Sequence, residues 1–371
     1  MPNKVIGIVD LHGASKLGAL NNTRGIASTS FLCRYAFIDF PLANFSNSGI
    51  DNKAVLAEEH LRSLIRHIGS AHSWTMNTKL GGLTLLYDEK HANADGYNHD
   101  INNLLENSWY LKATPGDVVV IAPSDIIYRQ DFTPLIEDHV KNNHRISVLV
   151  QDIHNGKSSF IGEDIADVDD NGYLRDLNPN HGAEDNITVS LKTYIIDKEV
   201  LKGILHVGQK TSSFYSIRDT IKMLAHDMPI YTYHHDGYVR CFDSLKHYYE
   251  YSLELLDPRM LRELVVSDWP IYTKTFDTPP AKYGAKAEIH DCYIGNGSQI
   301  DGQVEHSIIG RNVIIKSGCV IRNSVIMSGS YISEDTHIDH LVCDKEAHIL
   351  HAKEIIGSDD DLQFIKRGDI V

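Results

Sequence analysis

In the last third of the chain an aliphatic residue returns every six positions, and the register resets every 17. Ile309, Ile315 and Ile321 make one set, Ile326, Ile332 and Ile338 the next, and Cys343, Ile349 and Ile355 a third. A helix needs apolar positions three and four apart, and a half-buried strand needs alternation, so neither explains the pattern. Three short strands per coil do, with tight corners between them and each coil burying its apolar side on its neighbours as a parallel β-helix. Ile289, Ile294, Ile300 and Val304 mark an irregular first coil, and the polar run at 357–361 is expected to finish the last one. Such a prism rarely performs chemistry on its own walls, which directs the search for a small-molecule site upstream.

The upstream pattern differs. Val5-Ile6-Gly7-Ile8-Val9, Val118-Val119-Val120-Ile121 and Ile146-Ser147-Val148-Leu149-Val150 are continuous apolar runs, the signature of strands buried on both faces. Between them, the 54–68 segment places Leu61, Leu64, Ile65 and Ile68 on one helical stripe, and Thr133 to Lys141 reads as helix. Phe37-Ile38-Asp39-Phe40-Pro41 reads as a further strand or turn. Strands alternating with helices predict an α/β sheet covered on both faces, with ligands beyond the carboxyl ends of the strands. The loops at 10–36, 122–128 and about 236–244 are the expected pocket walls. His247 to Val266 reads as helix, divided at Asp257-Pro258, and Pro279-Pro280 ends regular structure. The expected division is a nucleotide-binding α/β domain at 1–245, a helical and extended linker at 246–283, and the β-helix at 284–371.

Composition narrows the classes. A chain of 371 residues exceeds what one core usually serves. Its formal charge of -15 argues against nucleic acid and other polyanions. There is no apolar run of about 18 residues and no signal-peptide pattern, so a cytoplasmic protein without a membrane span is expected. Five cysteines without a CxxC spacing read as reduced thiols. The 21 histidines form no compact ligand motif, and His234-His235-Asp236 is expected at the surface.

Three further motifs, Ile38-Asp39-Phe40-Pro41-Leu42-Ala43-Asn44, Gly237-Tyr238 with Tyr248-Tyr249-Glu250, and Pro279-Pro280-Ala281-Lys282-Tyr283, complete the picture. With them the chain resembles the ADP-glucose pyrophosphorylase (glucose-1-phosphate adenylyltransferase) family, and within it the GlgD-type regulatory subunits of Gram-positive bacteria. The resemblance implies a Rossmann-like nucleotidyltransferase sheet followed by a left-handed parallel β-helix. Catalytic members join ATP and glucose 1-phosphate and release pyrophosphate, using Mg2+ held by carboxylates.

The matching positions here are eroded. The family's Gly-Gly-x-Gly-Thr-Arg-Leu nucleotide loop corresponds to Leu11, His12, Gly13, Ala14, Ser15, Lys16 and Leu17, so side chains stand where backbone should approach phosphate. Ile26 replaces a phosphate-facing lysine. Asp125 matches one metal-binding aspartate, whereas Cys241 replaces the other, and a thiol is a poor partner for a hard ion. Asp243 rescues that site only if the backbone shifts. Leu177-Asn178 replaces the Glu-Lys pair of the sugar-phosphate site, and Lys192 stands where a small residue belongs. No catalytic or metal-ligating residue is assigned. Lys16, Arg24 and Arg34 are candidate contacts to a phosphate or sugar-phosphate effector.

The expectation is a catalytically silent regulatory subunit of glycogen biosynthesis. It needs no cofactor of its own, assembles with a homologous catalytic subunit that uses Mg2+ and ATP, and forms a homo-oligomer when isolated. The alternatives are a weakly active adenylyltransferase with a rearranged metal site, a sugar-phosphate sensor or scaffold, and an acyltransferase using a histidine beside the prism.

Overall fold

The computed structural model describes residues 4–14, 16–74, 81–88, 97–212 and 215–371. By packing, the chain forms two interleaved units. One comprises Met1–Ser15, Ile38–Cys241 and Ser267–Tyr272; the other comprises Lys16–Phe37, Phe242–Val266 and Thr273–Val371. The linear division expected above differs from this one, because an early segment and the helices before the prism join the β-helix unit.

The first unit is built on a twisted sheet. Val5–Asp10 lies at its centre, parallel to both Asn52–Ala57 and Val118–Ala122, and Gly82–Tyr87 adds a further parallel strand. Ile187–Asp197 then pairs antiparallel with Val118–Ala122 and with Ile146–Ile153. Alternate residues such as Ile6, Ile8, Val119 and Ile121 pack with Leu201, Ile204 and Leu205 of the helix Lys198–Thr211 in one buried cluster. On Gly7 the opposite constraint operates: a Cβ there would stand 2.7 Å from the Phe45 ring, so only glycine lets the helix Asp39–Asn47 lie this close. That helix starts where the sequence suggested a strand or turn. Pro41 sits in its first turn, where a missing N–H costs little. In the 54–68 segment, Ala54–Ala57 belongs to a strand and only Leu61–Ile68 is helical. Thr133–Lys141 is helical as expected.

The second unit contains the left-handed parallel β-helix. Its columns follow the sequence periodicity: Ile309 pairs with Ile326 and Ile326 with Cys343, Ile315 with Ile332 and Ile332 with Ile349, and Ile321 with Ile338 and Ile338 with Ile355. The irregular first coil is 15 residues long, since Ile294 pairs with Ile309 and Ile300 with Ile315. Left-handed corners stack 17 apart at His306, Asn323 and His340. The 357–361 run does not end the prism. It leaves as a corner loop closed by a Ser358–Asp361 bridge, and the strand Gln363–Ile365 resumes the stack beneath Leu341–Cys343. Phe31, Phe37, Phe242 and Tyr251 form an aromatic cluster in this unit, with ring centroids as close as 4.7 Å. Tyr248 Oη donates to the Ser30 carbonyl at 2.7 Å, and Tyr249 Oη to that of Asn323 at 2.8 Å. These bonds explain why bulky tyrosines stand in the expected linker. Among the described residues no helix is long and apolar enough to cross a membrane.

Candidate functional site

At the carboxyl end of Val118–Ala122 the chain turns through Ser124 and Asp125 into Ile126–Tyr128, which pairs antiparallel with Val239–Cys241. Cys241 is thereby registered opposite Ile126, one residue from Asp125. The two positions where the resemblance implies metal-binding acids thus fall one register step apart, as an aspartate and a thiol, both buried.

A third residue completes the arrangement. The register of Ile187–Asp197 slips between Ser190 and Thr193, and Lys192 within the slip has φ 48°. Such a bulge re-aims a side chain. The Lys192 ammonium donates to Asp125 Oδ2 at 3.0 Å, to Glu163 Oε1 at 2.8 Å and to the Gly13 carbonyl at 3.2 Å. An ammonium has three protons, so these partners use its donor capacity in full. Burial would lower the lysine's pKa, but the charges of Asp125 and Glu163 more than offset it, and the side chain stays cationic.

The same pattern recurs around the adjoining cavity of about 370 Å³. Its wall carries four carboxylates, Asp10, Asp100, Glu163 and Asp164, against two permanent cations, Lys192 and Arg218. Arg218 Nε donates to Asp164 at 2.7 Å and Nη1 to Asp219 at 2.8 Å; the hydrogen bond to Asp164 is the main reason its pKa is raised. Lys222 donates to the Leu177 carbonyl at 2.6 Å and to Asn178 Oδ1 at 3.0 Å, so a lysine from the helix Ile217–Leu224 holds the eroded sugar-phosphate motif together. At the loop that the resemblance matches to the family's nucleotide loop, Asp10 accepts from the His12 backbone at 3.0 Å and meets its Nδ1 at 2.8 Å. Burial would lower the His12 pKa, yet the bond to Asp10 and its charge raise it. Phosphate recognition needs donors with spare protons. Here the permanent cations on the cavity wall are already held by carboxylates.

The donor set therefore does not fit the divalent ion that the resemblance implies. An ammonium lies between the two carboxylates, the second family acid is Cys241, and no cluster of three or more metal-binding side chains occurs among the described residues. Asp243 belongs to the other unit, where its Oδ1 meets His247 Nδ1 at 2.5 Å.

The candidate phosphate contacts separate. Lys16 and Arg34 are exposed, and the Arg34 guanidinium stands 5.7 Å from the Tyr35 ring centroid. Arg24 is not available to a phosphate. It is 3% exposed, pairs with the buried Asp344, and donates through Nε to the Leu20 carbonyl at 3.2 Å. Ser15 of the nucleotide-loop comparison lies outside the described residues. His234 is exposed as expected, whereas His235 is buried with Nδ1 2.8 Å from Gln130 Oε1. The expected pocket walls are only partly right. Asp10, His12, Gly13 and Pro123 line the cavity, but the 236–244 loop does not, and Glu163, Asp164 and Arg218 were not foreseen. Their contacts to Lys192 and to each other span 29 and 54 residues of chain. The one local signal was the Ser216-x-x-Asp219 capping box that opens the helix carrying Arg218.

Comparison with known proteins agrees with this architecture. A family profile described as "Nucleotidyl transferase" matches residues 18–248, and one described as "GlmU-like, C-terminal hexapeptide" matches residues 279–367. A glucose-1-phosphate adenylyltransferase of Lachnospira eligens is 31% identical over 305 residues, covering 81% of this chain and 71% of that protein.

Proposed function

This chain belongs to the glucose-1-phosphate adenylyltransferase (ADP-glucose pyrophosphorylase) family, and from that premise we propose that it is a regulatory, catalytically silent subunit. In this reading it assembles with an active homologous subunit in a mixed tetramer and modulates that subunit's synthesis of ADP-glucose for glycogen. Mg2+ and ATP act at the partner subunit.

The observation that supports the reading best is the Lys192 clasp. Adenylyl transfer stabilises developing charge with metal ions and free cationic donors, and here Lys192 holds Asp125 and Glu163 instead. Losing that charge stabilisation need not damage packed interfaces, so a subunit can keep assembly without turnover. Lys16 and Arg34, both exposed, are the residues we propose for contact with a sugar-phosphate effector. The nucleotidyl transferase match argues against the acyltransferase alternative.

The test combines the purified chain with the active homologue from the same cell, measuring mass and turnover with and without sugar phosphates. A mixed tetramer with altered rate or effector affinity is expected, and the chain alone should form ADP-glucose only at background. Separate homo-oligomers with unchanged kinetics would defeat the regulatory role. Turnover by the isolated chain comparable with the homologue would defeat its silence, in favour of a rearranged active site.

A further inference from the structure

We propose that Lys192 is a built-in cation: its ammonium fills a divalent-ion site formed by Asp125, Glu163 and the Gly13 carbonyl, and replacing the side chain opens that site to a hard metal ion. The oxygen set carries the inference. Asp125 Oδ2, both Glu163 oxygens and the Gly13 carbonyl oxygen all lie within 2.7–3.2 Å of one nitrogen. Asp125 is 1% exposed and Glu163 7%, so neither charge is relieved by bulk water. Two carboxylates and a carbonyl, with water completing the shell, are what a small hard divalent ion takes up.

The backbone supports the same conclusion. Lys192 sits in the register slip with φ 48°, a left-handed conformation that suits asparagine or glycine better than a long side chain. Its N–H is held by Ser190 Oγ at 3.2 Å, which fixes the bulge that delivers the ammonium. The cavity beside it is also lined by the buried Tyr194 side chain.

The inference deepens the silent-subunit reading, and rests on it only for biological meaning, because ion binding is measured without turnover. The probe is Mn2+, titrated by electron paramagnetic resonance into the full-length chain, Lys192→Asn, and Lys192→Asn with Asp125→Asn. Asparagine is chosen because it tolerates the left-handed backbone. We expect one Mn2+ per chain in Lys192→Asn, bound at least ten-fold tighter than in the unaltered protein, displaced by Mg2+ and lost in the double variant. A folded Lys192→Asn that binds Mn2+ no better than the unaltered protein overturns the proposal. So does an unaltered protein whose Mn2+ site disappears with Asp125→Asn. If Lys192→Asn is unfolded without metal, Lys192→Gly and the Mn2+ dependence of both melting temperatures decide. A rise in melting temperature absent from the unaltered protein supports the proposal, and no rise overturns it. ADP-glucose formation by the unaltered chain, assayed in parallel, tests the silent-subunit reading separately.

Discussion

The β-helix and the Lys192 cavity are built by opposite kinds of information. In the prism each buried residue repeats its neighbour one coil away, so Ile315, Ile332 and Ile349 see nearly the same surroundings. In the cavity every partner is unique: Lys192 meets Asp125, 67 residues away, and Glu163, 29 residues away. A repeated environment admits only small apolar changes such as Cys343 within the stack, whereas a bespoke cluster of charges changes its chemistry with one side chain. The family's frame is thus carried by repetition, while the cavity is set by single side chains such as Lys192.

That contrast breaks first if a buried prism position proves dispensable. Ile332 is fully buried between Ile315 and Ile349, and Ile332→Asp should abolish cooperative melting of the β-helix unit. Ile332→Ala should cost about 2–5 kcal/mol, the usual range for such truncations. A thermal melt close to that of the unaltered protein would show that the stack is not the cooperative body described above.

Next in size is the buried ion pair of Arg24 and Asp344, a bespoke contact inside the prism's own unit. Arg24→Met should cost about 3–5 kcal/mol in chemical denaturation, because it leaves a buried carboxylate without its cation. Adding Asp344→Leu should recover most of the loss. A phosphate-binding role for Arg24 would give the reverse pattern, with stability nearly unchanged and effector response lost.

The smallest effect concerns pH. His139 is fully buried in the sheet unit, with Nδ1 2.8 Å from Ser147 Oγ and with Asp197, Asp138 and His144 around it. Burial lowers its pKa below the usual 6.5 despite the pull of Asp197. The unfolded chain therefore takes up a proton at a higher pH than the folded one. The stability is fully present above 6.5 and is lost as pH falls from there towards the lowered folded value. Melting temperatures from pH 7.5 down to 5.5, compared with His139→Gln, should show a shallower decline in the variant. Equal slopes would mean that the histidine is not the group responsible.

What the sequence disclosed follows the same division. The three isoleucine columns, the helix Thr133–Lys141 and the break at Asp257-Pro258 are local or periodic, and the structure carries them as read. The 37–41 segment misled because an apolar run with proline suits a strand edge as well as a helix start, and packing against Gly7 favours the helix. Arg24 looked like a phosphate contact because its partner, Asp344, lies 320 residues away. Lys192 was visible as an intruder among small residues, but nothing in its neighbourhood named Glu163 or the Gly13 carbonyl as its hosts.

The corner loop at 357–361 has one more consequence, for how this chain can change length. From Cys343 to Ile365 the column advances 22 residues instead of 17, and the surplus five leave at a corner without disturbing the pairs on either side. Insertions can thus be absorbed as a whole added coil that lengthens the prism by one strand spacing, about 4.8 Å, or as a loop ejected at a vertex. A length change within a strand would slide the later isoleucines off their columns. The prism grows in quanta, and its vertices are where new surface can be added without paying for it in the stack.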